Sequence, residues 1–168
     1  SKGSISDAVS LANNLNSPHS IIPINLVYDA FNTTLTDEFD GTKLDVTEEN
    51  IQARSRGLIL MAISNKYGHI LLNTSNKSES AVGYSTLYGD MCGGLSVIGD
   101  LYKEQVYELA RYMNRNEMLI PQEIIDKEPS AELRPGQLDT DSLPDYEKLD
   151  PMINAYVEQD QGAFEMAT

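Results

Sequence analysis

Apolar side chains recur at helical spacing from the start of the chain. Ala8, Val9, Leu11, Ala12 and Leu15 follow Ser4-Ile5-Ser6-Asp7, which supplies a capping residue, and Asn13-Asn14-Leu15-Asn16-Ser17-Pro18 ends the run. The period then changes. His19 to Val27 (HSIIPINLV) is short, β-branched and apolar and reads as a buried strand, with Pro23 weakening its middle. Tyr28 to Leu35 returns to a helical pattern, and the polar stretch Asp37 to Asp45, with Gly41, reads as a loop. Thr47 opens the strongest helix: Thr47-Glu48-Glu49-Asn50 resembles a capping box, the run passes through Ile51, Leu58, Leu60, Met61 and Ile63 to Lys66, and Tyr67-Gly68 closes it. His69 to Thr74 (HILLNT) reads as a second strand, and Ser75-Asn76-Lys77 leads into a helix near Ser78. Beyond the glycine-rich stretch Gly89 to Gly99, Asp100 is placed to cap a helix running to about Arg115. A short helix follows Pro121, Glu128 to Pro144 is irregular, and a last helix runs from Asp145 to about Glu158.

Strands alternating with amphipathic helices predict an α/β fold with a parallel sheet. Two strands fall short of the roughly four or five such a sheet normally holds, and both ends of the chain look interrupted. The expectation is the interior of a larger domain.

Composition narrows the function. The 168 residues are 40% apolar, enough for one hydrophobic core. Twelve basic residues against 26 acidic ones give a net charge of −14, a surface that repels phosphate backbones and anionic lipid, so nucleic-acid and membrane-surface partners are disfavoured. The charge is uneven: residues 117–168 hold 13 acids and 3 bases, residues 1–116 hold 13 acids and 9 bases. An anionic ligand is therefore expected in the first two thirds. The longest apolar run, Leu58 to Ile63, is far below the ~20 residues of a membrane span. No leader pattern follows Ser1-Lys2-Gly3-Ser4, and the single cysteine, Cys92, fits a reducing cytoplasm.

Three stretches could carry chemistry. In Leu71 to Glu79 a strand ends and a helix begins within four polar residues, the place where open α/β sheets bind ligands. Thr74 and Ser75 offer hydroxyls, and Glu79 lies one turn into the helix. A lone carboxylate beside phosphates is a common way to hold Mg²⁺, although a capping motif accounts for the same residues. Gly89-Asp90-Met91-Cys92-Gly93-Gly94, with Gly99-Asp100-Leu101-Tyr102-Lys103, would let backbone approach a ligand and brings Lys103 into a helix's first turn. It lacks the GxxxxGK[ST] of a phosphate-binding P-loop, and a surface loop with a solvated lysine is the plainer account. Asn50 and Arg54, four apart, share a helix face and could reach one ligand together, although an ordinary solvated face is the commoner account of such a pair. His19 and His69 are isolated and Cys92 has no partner at metal spacing, so all three read as structural.

Taken in order, several segments resemble the synthetase domain of NAD⁺ synthetases: Glu49-Asn50-Ile51-Gln52-Ala53-Arg54-Ser55-Arg56-Gly57, Asn73-Thr74-Ser75-Asn76-Lys77-Ser78-Glu79, Gly83-Tyr84-Ser85-Thr86-Leu87-Tyr88-Gly89-Asp90, Asp100-Leu101-Tyr102-Lys103 and Pro129-Ser130-Ala131-Glu132-Leu133-Arg134-Pro135. Their spacing matches over nearly the whole chain, which is more specific than any one motif. The resemblance implies a Rossmann-like, adenine nucleotide α-hydrolase-like parallel sheet with flanking helices, here incomplete, and a two-step ligation. ATP adenylates the nicotinate carboxylate of deamido-NAD⁺ with loss of pyrophosphate, and ammonia then displaces AMP to give NAD⁺. It further implies Mg²⁺, a cytoplasmic location and an assembly that is at least dimeric.

Carried onto this chain, the resemblance implies that Thr74, Lys103 and Ser130 contact ATP. Asn50, Arg54 and Glu79 would face deamido-NAD⁺, with Glu79 also a Mg²⁺ ligand. No residue receives a catalytic role. The family's Ser-Gly-Gly-x-Asp-Ser pyrophosphate loop is absent and by the family's order would lie upstream of Ser1; the basic segment expected near the C-terminus is absent too. Some ammonia-using members carry lysine where this chain has Leu87 and aspartate at Gly94. Gly89 to Leu95 looks more like the glutamine-using members, whose chains add an N-terminal glutaminase domain. The expectation is one synthetase domain over residues 1–168, truncated at both ends, from an enzyme of the glutamine-dependent type, with nitrogen from glutamine or ammonia. A nucleotide-binding module without catalysis and another ATP-pyrophosphatase ligase, such as a GMP synthetase, are the alternatives.

Overall fold

The computed structural model of the chain describes residues 2–166, and its elements run α1 (Lys2–Asn14), α2 (Asn25–Thr34), α3 (Val46–Tyr67), β1 (Leu72–Asn73), α4 (Lys77–Ala81), β2 (Leu95–Ser96), α5 (Lys103–Met113), α6 (Gln122–Asp126), α7 (Tyr146–Glu158) and α8 (Ala163–Met166). They fall into two compact units, one holding the residues up to Ile21 and from Leu101 onward, the other Ile22–Asp100.

In the unit Ile22–Asp100, β1 and β2 pair in parallel, Leu72 opposite Leu95 and Asn73 opposite Ser96. The parallel sheet is therefore present with two short strands and flanking helices. Its second strand comes from within the glycine-rich stretch, where the apolar pattern showed no strand. Of the predicted strand His69–Thr74, only Leu72–Asn73 is paired. The predicted buried strand His19–Val27 does not form: residues 19–24 belong to no element, and Ile21 and Ile22 are 60% and 49% exposed. Pro23 has no N–H to give a ladder, and no strand among the described residues lies beside this segment. From Asn25 the chain turns into α2.

The long helix α3 starts two residues earlier than its sequence pattern suggests, because Asp45, not Thr47, caps it. Thr47 N–H donates to Asp45 Oδ1 at 2.7 Å, and Asp45 N–H donates to Glu48 Oε2 at 2.8 Å, satisfying two amides that the helix cannot. Gly68 ends it at φ 68°, a left-handed turn that glycine adopts without a Cβ penalty. The face that α3 buries is made of small residues, Ala53, Ser55 and Gly57, while Leu58 is 58% exposed. The cause is the segment 86–92, whose backbone lies directly against the helix. A Cβ on Gly57 would stand 2.9 Å from the Tyr88 carbonyl oxygen and 3.0 Å from that of Gly89, and a Cβ on Gly89 would stand 2.9 Å from Ala53 Cβ.

The other unit gathers Tyr102, Tyr146, Leu149 and Ile153 into a buried cluster, with Leu143 against it, where α5 packs on α7. Helix α5 begins at Lys103 and not at the predicted Asp100: Tyr102 is its cap residue, and its N–H donates to Gln105 Oε1 at 2.9 Å. The Asp100 carboxylate instead pairs with Lys77 Nζ at 2.9 Å. Helices α1, α6 and α7 stand close to their predicted ranges, and Glu128 to Pro144 is irregular apart from a single 3-10 turn at Asp139–Asp141.

Alanine in a helix interior is normally favoured over glycine by about 1 kcal/mol. At Gly57 the sign should reverse, because the new methyl would meet two backbone carbonyls that cannot rotate away. We expect Gly57→Ala to destabilise the fold by about 1–3 kcal/mol, read as a lower urea midpoint at unchanged slope; a neutral or raised midpoint would show that the loop does not sit on the helix.

Candidate functional site

The chain leaves β1 at Asn73, whose buried side chain organises the turn that follows. Its Nδ2 donates to the Asp90 carbonyl at 2.9 Å, while its Oδ1 accepts from Ser75 N–H at 2.9 Å and from Ser96 Oγ at 3.2 Å. One amide thus ties together the ends of both strands, the start of the crossover and the glycine-rich segment. Gly93 must be glycine here: its φ is 151°, and a Cβ would stand 2.7 Å from Asn73 N. A cavity of about 280 Å³ opens beside the turn, lined by Asn73, Ser75, Ser80, Met91, Gly93 and Ser96 among others.

Thr74 is exposed immediately after β1. Glu79 sits in the first turn of α4, where Asn76 and Glu79 cap each other: Glu79 N–H donates to Asn76 Oδ1 at 2.9 Å, and Asn76 N–H donates to Glu79 Oε2 at 3.2 Å. The capping role anticipated as the plainer account is therefore real. It occupies the amides that the turn would otherwise offer an anion, Ser75 N–H being taken by Asn73. No group of three or more His, Cys, Asp or Glu able to hold a metal occurs among the described residues. Glu79 fits only the sparse kind of Mg²⁺ site, in which one carboxylate joins phosphate oxygens and water.

Asn50 and Arg54 do share a face of α3, and both point into the segment that follows α4. Thr86 Oγ1 donates to Asn50 Oδ1 at 2.8 Å, and Arg54 Nε donates to the Leu87 carbonyl at 3.2 Å. Thr86 N–H is held in turn by Asp90 Oδ1 at 2.6 Å. Tyr88, between these contacts, is left-handed at φ 64°, a strained position for a non-glycine residue. Asn73, Thr86 and Asp90 organise this region, and none was singled out from the sequence. The available signal was Asn73 itself, an amide where an apolar strand becomes buried.

Lys103 and Ser130 lie in the other unit. Lys103 Nζ stands 5.3 Å from the centroid of the Tyr146 ring, over its face. Ser130 lines a cavity of about 630 Å³ formed by residues between Lys127 and Leu138. Its hydroxyl donates to the Gln137 carbonyl and accepts from Glu132 N–H at 3.0 Å, closing the loop on itself. The Glu132 carboxylate accepts from Lys127 Nζ at 2.6 Å and from the Ser4 hydroxyl, which fastens the loop to α1. His69 stacks on Tyr67, with centroids 5.8 Å apart, which agrees with a structural role. Among the described residues no helix is long and apolar enough to cross a membrane.

Comparison with known proteins gives a consistent assignment. A family model described as NAD synthase matches residues 1–168. The glutamine-dependent NAD(+) synthetase of Synechocystis sp. is 50% identical over 163 residues, which is 97% of this chain and 29% of that protein. The chain thus spans about 30% of the length of the curated relatives it matches. Among solved structures, glutamine-dependent NAD+ synthetase from Acinetobacter baumannii in complex with ADP superposes with a TM-score of 0.74 at 41% identity, covering 99% of this chain and 30% of that one. NMN synthetase from Francisella tularensis superposes with a TM-score of 0.79 at 32% identity, covering 99% of this chain and 66% of that one.

The contact that fastens the Ser130 loop is testable by acid. Lys127 and the Ser4 hydroxyl, both donating to Glu132, hold its carboxyl at about 2, down from an ordinary 4.5. A carboxyl depressed by folding stabilises fully above its unfolded pKa and loses that contribution as the pH falls toward its folded one. Stability should therefore decline between pH 4.5 and about 2, and Glu132→Gln should flatten part of that decline in urea midpoints measured across the range. An acid limb identical in the variant would remove Glu132 as its cause.

Proposed function

This chain belongs to the NAD synthase family, and we propose that residues 1–168 are part of the synthetase domain of a cytoplasmic, glutamine-dependent enzyme that amidates deamido-NAD⁺ to NAD⁺ at the expense of ATP. The observation that supports this most directly is that Thr74 and Glu79 follow the carboxyl end of β1 in a chain matched by the family along its whole length. Ligands of open α/β folds bind at that end of the strands.

A carboxylate is a poor acyl donor. In the proposed reaction the nicotinate oxygen attacks the α-phosphorus of ATP, expelling pyrophosphate and leaving an acyl-adenylate. Ammonia then adds to the activated carbonyl, AMP leaves, and one proton is released to give the carboxamide. Thr74 offers its hydroxyl to ATP, and Lys103 supplies a cation to the phosphates as their charge rises. Ser130 contacts the nucleotide from its closed loop. Asn50 and Arg54 face deamido-NAD⁺, and to do so Arg54 exchanges a neutral carbonyl for an anion, a stronger acceptor. Glu79 lies beside the dinucleotide and contributes one oxygen to Mg²⁺, which when bound would neutralise phosphate charge. Nitrogen comes from ammonia released by a glutaminase domain on the same full-length protein, or from free ammonia, and the assembly is at least a homodimer.

The TM-score of 0.79 to an NMN synthetase favours one second reading, amidation of the mononucleotide in place of the dinucleotide. A panel decides between them. The intact protein, given ATP, Mg²⁺ and glutamine or ammonium, should form NAD⁺ and AMP in equal amounts from deamido-NAD⁺ and turn over the mononucleotide acid poorly. The reverse preference would support the second reading, and nucleotide binding without AMP release would leave a binding module. Glu79→Gln should lower AMP release by about a hundredfold, with recovery at raised Mg²⁺. Unchanged turnover would remove Glu79 from the metal site.

A further inference from the structure

Lys103 opens α5 with its ammonium over the face of Tyr146, at 5.3 Å from the centroid. A ring face is electronegative and attracts a cation at this range. The ring cannot turn away. Tyr146 is 6% exposed, packed among Tyr102, Leu149 and Ile153, and its hydroxyl donates to Asp139 Oδ2 at 2.8 Å. The turn that carries Lys103 is fixed as well, because Glu104 N–H donates to Asp150 Oδ2 on α7 at 2.9 Å.

Asp139 needs an explanation that packing does not supply. It is 4% exposed, and its Oδ1 has no hydrogen-bond partner among the described residues. A Phe and Leu pair could fill the space without the cost of burying a carboxylate, so stability alone does not account for it. Its surroundings do. Through Tyr146 it fixes the surface on which the Lys103 ammonium rests, and its N–H donates to the Pro129 carbonyl at 2.9 Å, one residue before Ser130. Its negative charge also lies close enough to act on Tyr107, one helical turn beyond Lys103 and under the influence of the Lys103 charge.

We propose that Tyr146 and Asp139 are positioning residues for the nucleotide phosphates: the ring supports and aims the Lys103 ammonium, and Asp139 anchors that ring and the backbone leading into Ser130. The inference rests on the reading of Lys103 as a phosphate-binding lysine. It adds that the lysine is held in place before the nucleotide arrives, so that binding does not have to order it.

Steady-state kinetics of the intact protein test this with Lys103→Met, Tyr146→Leu, Tyr146→Phe, Asp139→Asn and the double variant Lys103→Met with Tyr146→Leu. Tyr146→Leu should raise KM for ATP by roughly threefold to tenfold, the range of a cation–ring contact, with KM for deamido-NAD⁺ unchanged. Tyr146→Phe keeps the ring but loses its bond to Asp139, so it should raise KM for ATP less, by about twofold. Asp139→Asn, which weakens the same bond, should do likewise; parental KM in both would remove Asp139 from the inference. In the Lys103→Met background Tyr146→Leu should add nothing further, because residues acting through one another are not additive. Multiplying effects in the double variant, or equal losses for both substrates, would overturn the inference and leave Lys103 in its role. An unchanged KM for ATP in Lys103→Met alone would overturn the role of Lys103 and the inference with it. Where Tyr146→Leu does not fold, Tyr146→Phe and Asp139→Asn decide by the same comparison, each combined with Lys103→Met.

Discussion

The closeness of the 86–94 backbone to α3 and to the end of β1 governs the unit Ile22–Asp100. Main chain packed against a helix leaves no room for branched side chains, so Ala53, Gly57 and Gly89 make up the contact, while Leu58, Leu60 and Met61 of α3 are exposed. Packed backbone must also find hydrogen-bond partners, and polar side chains supply them. Buried Asn73 reaches the Asp90 carbonyl, Asp90 Oδ1 receives Thr86 N–H, and Arg54 reaches the Leu87 carbonyl at the exposed edge. The glycines and these polar side chains answer one steric constraint.

That constraint bears on how the proposed ligand residues work. Arg54 already holds a carbonyl, and Glu79 already holds a backbone amide. Each bond already has one ionised partner, which makes it stronger than a neutral pair, and until a ligand competes for them these bonds keep both side chains ordered in place. Capping does not exclude binding at Glu79, because a shared Mg²⁺ site asks only one carboxylate oxygen of it.

The helices α1, α6 and α7 were legible in the sequence to within a few residues, although the stretch Ser4–Asp7 read as capping α1 lies inside it. In α3 the stop at Gly68 was legible and the start was two residues off, since Asp45 and Thr47 are both good caps and only the bond to Glu48 distinguishes them. Strands were poorly legible. An apolar β-branched run specifies a strand only with a partner, and His19–Val27 has none among the described residues, while Leu95–Ser96 pairs with β1 despite lying in a stretch that reads as loop. The candidate site was suggested by resemblance more than by pattern. Glu79, Asn50 and Arg54 have ordinary structural contacts that the structure displays, so spacing alone could not separate binding from a structural role. Of the residues that support them, Asn73 carried a faint signal as an amide ending an apolar run, while the contacts of Thr86 with Asn50 and of Asp139 with Tyr146 join segments whose pairing the local pattern does not show.

The two units share one design feature. In each, a buried polar side chain stands behind residues proposed to bind the nucleotides: Asn73 behind Thr74 and the crossover to Glu79, Asp139 behind Tyr146 and the Ser130 loop. Both are poor choices by stability alone, because a desolvated amide or carboxylate returns its cost only when its bonds are well made. What they supply is direction. An apolar contact tolerates sliding, whereas an amide holding a strand end, a serine N–H and a loop carbonyl at 2.9–3.2 Å permits one arrangement. The proposed reaction, which aligns a carboxylate with the α-phosphorus of ATP, would depend on such alignment, since displacing reacting groups by about an ångström can cost a hundredfold in rate. Buried polar anchors behind the proposed binding residues, in place of a larger apolar core, suit that requirement.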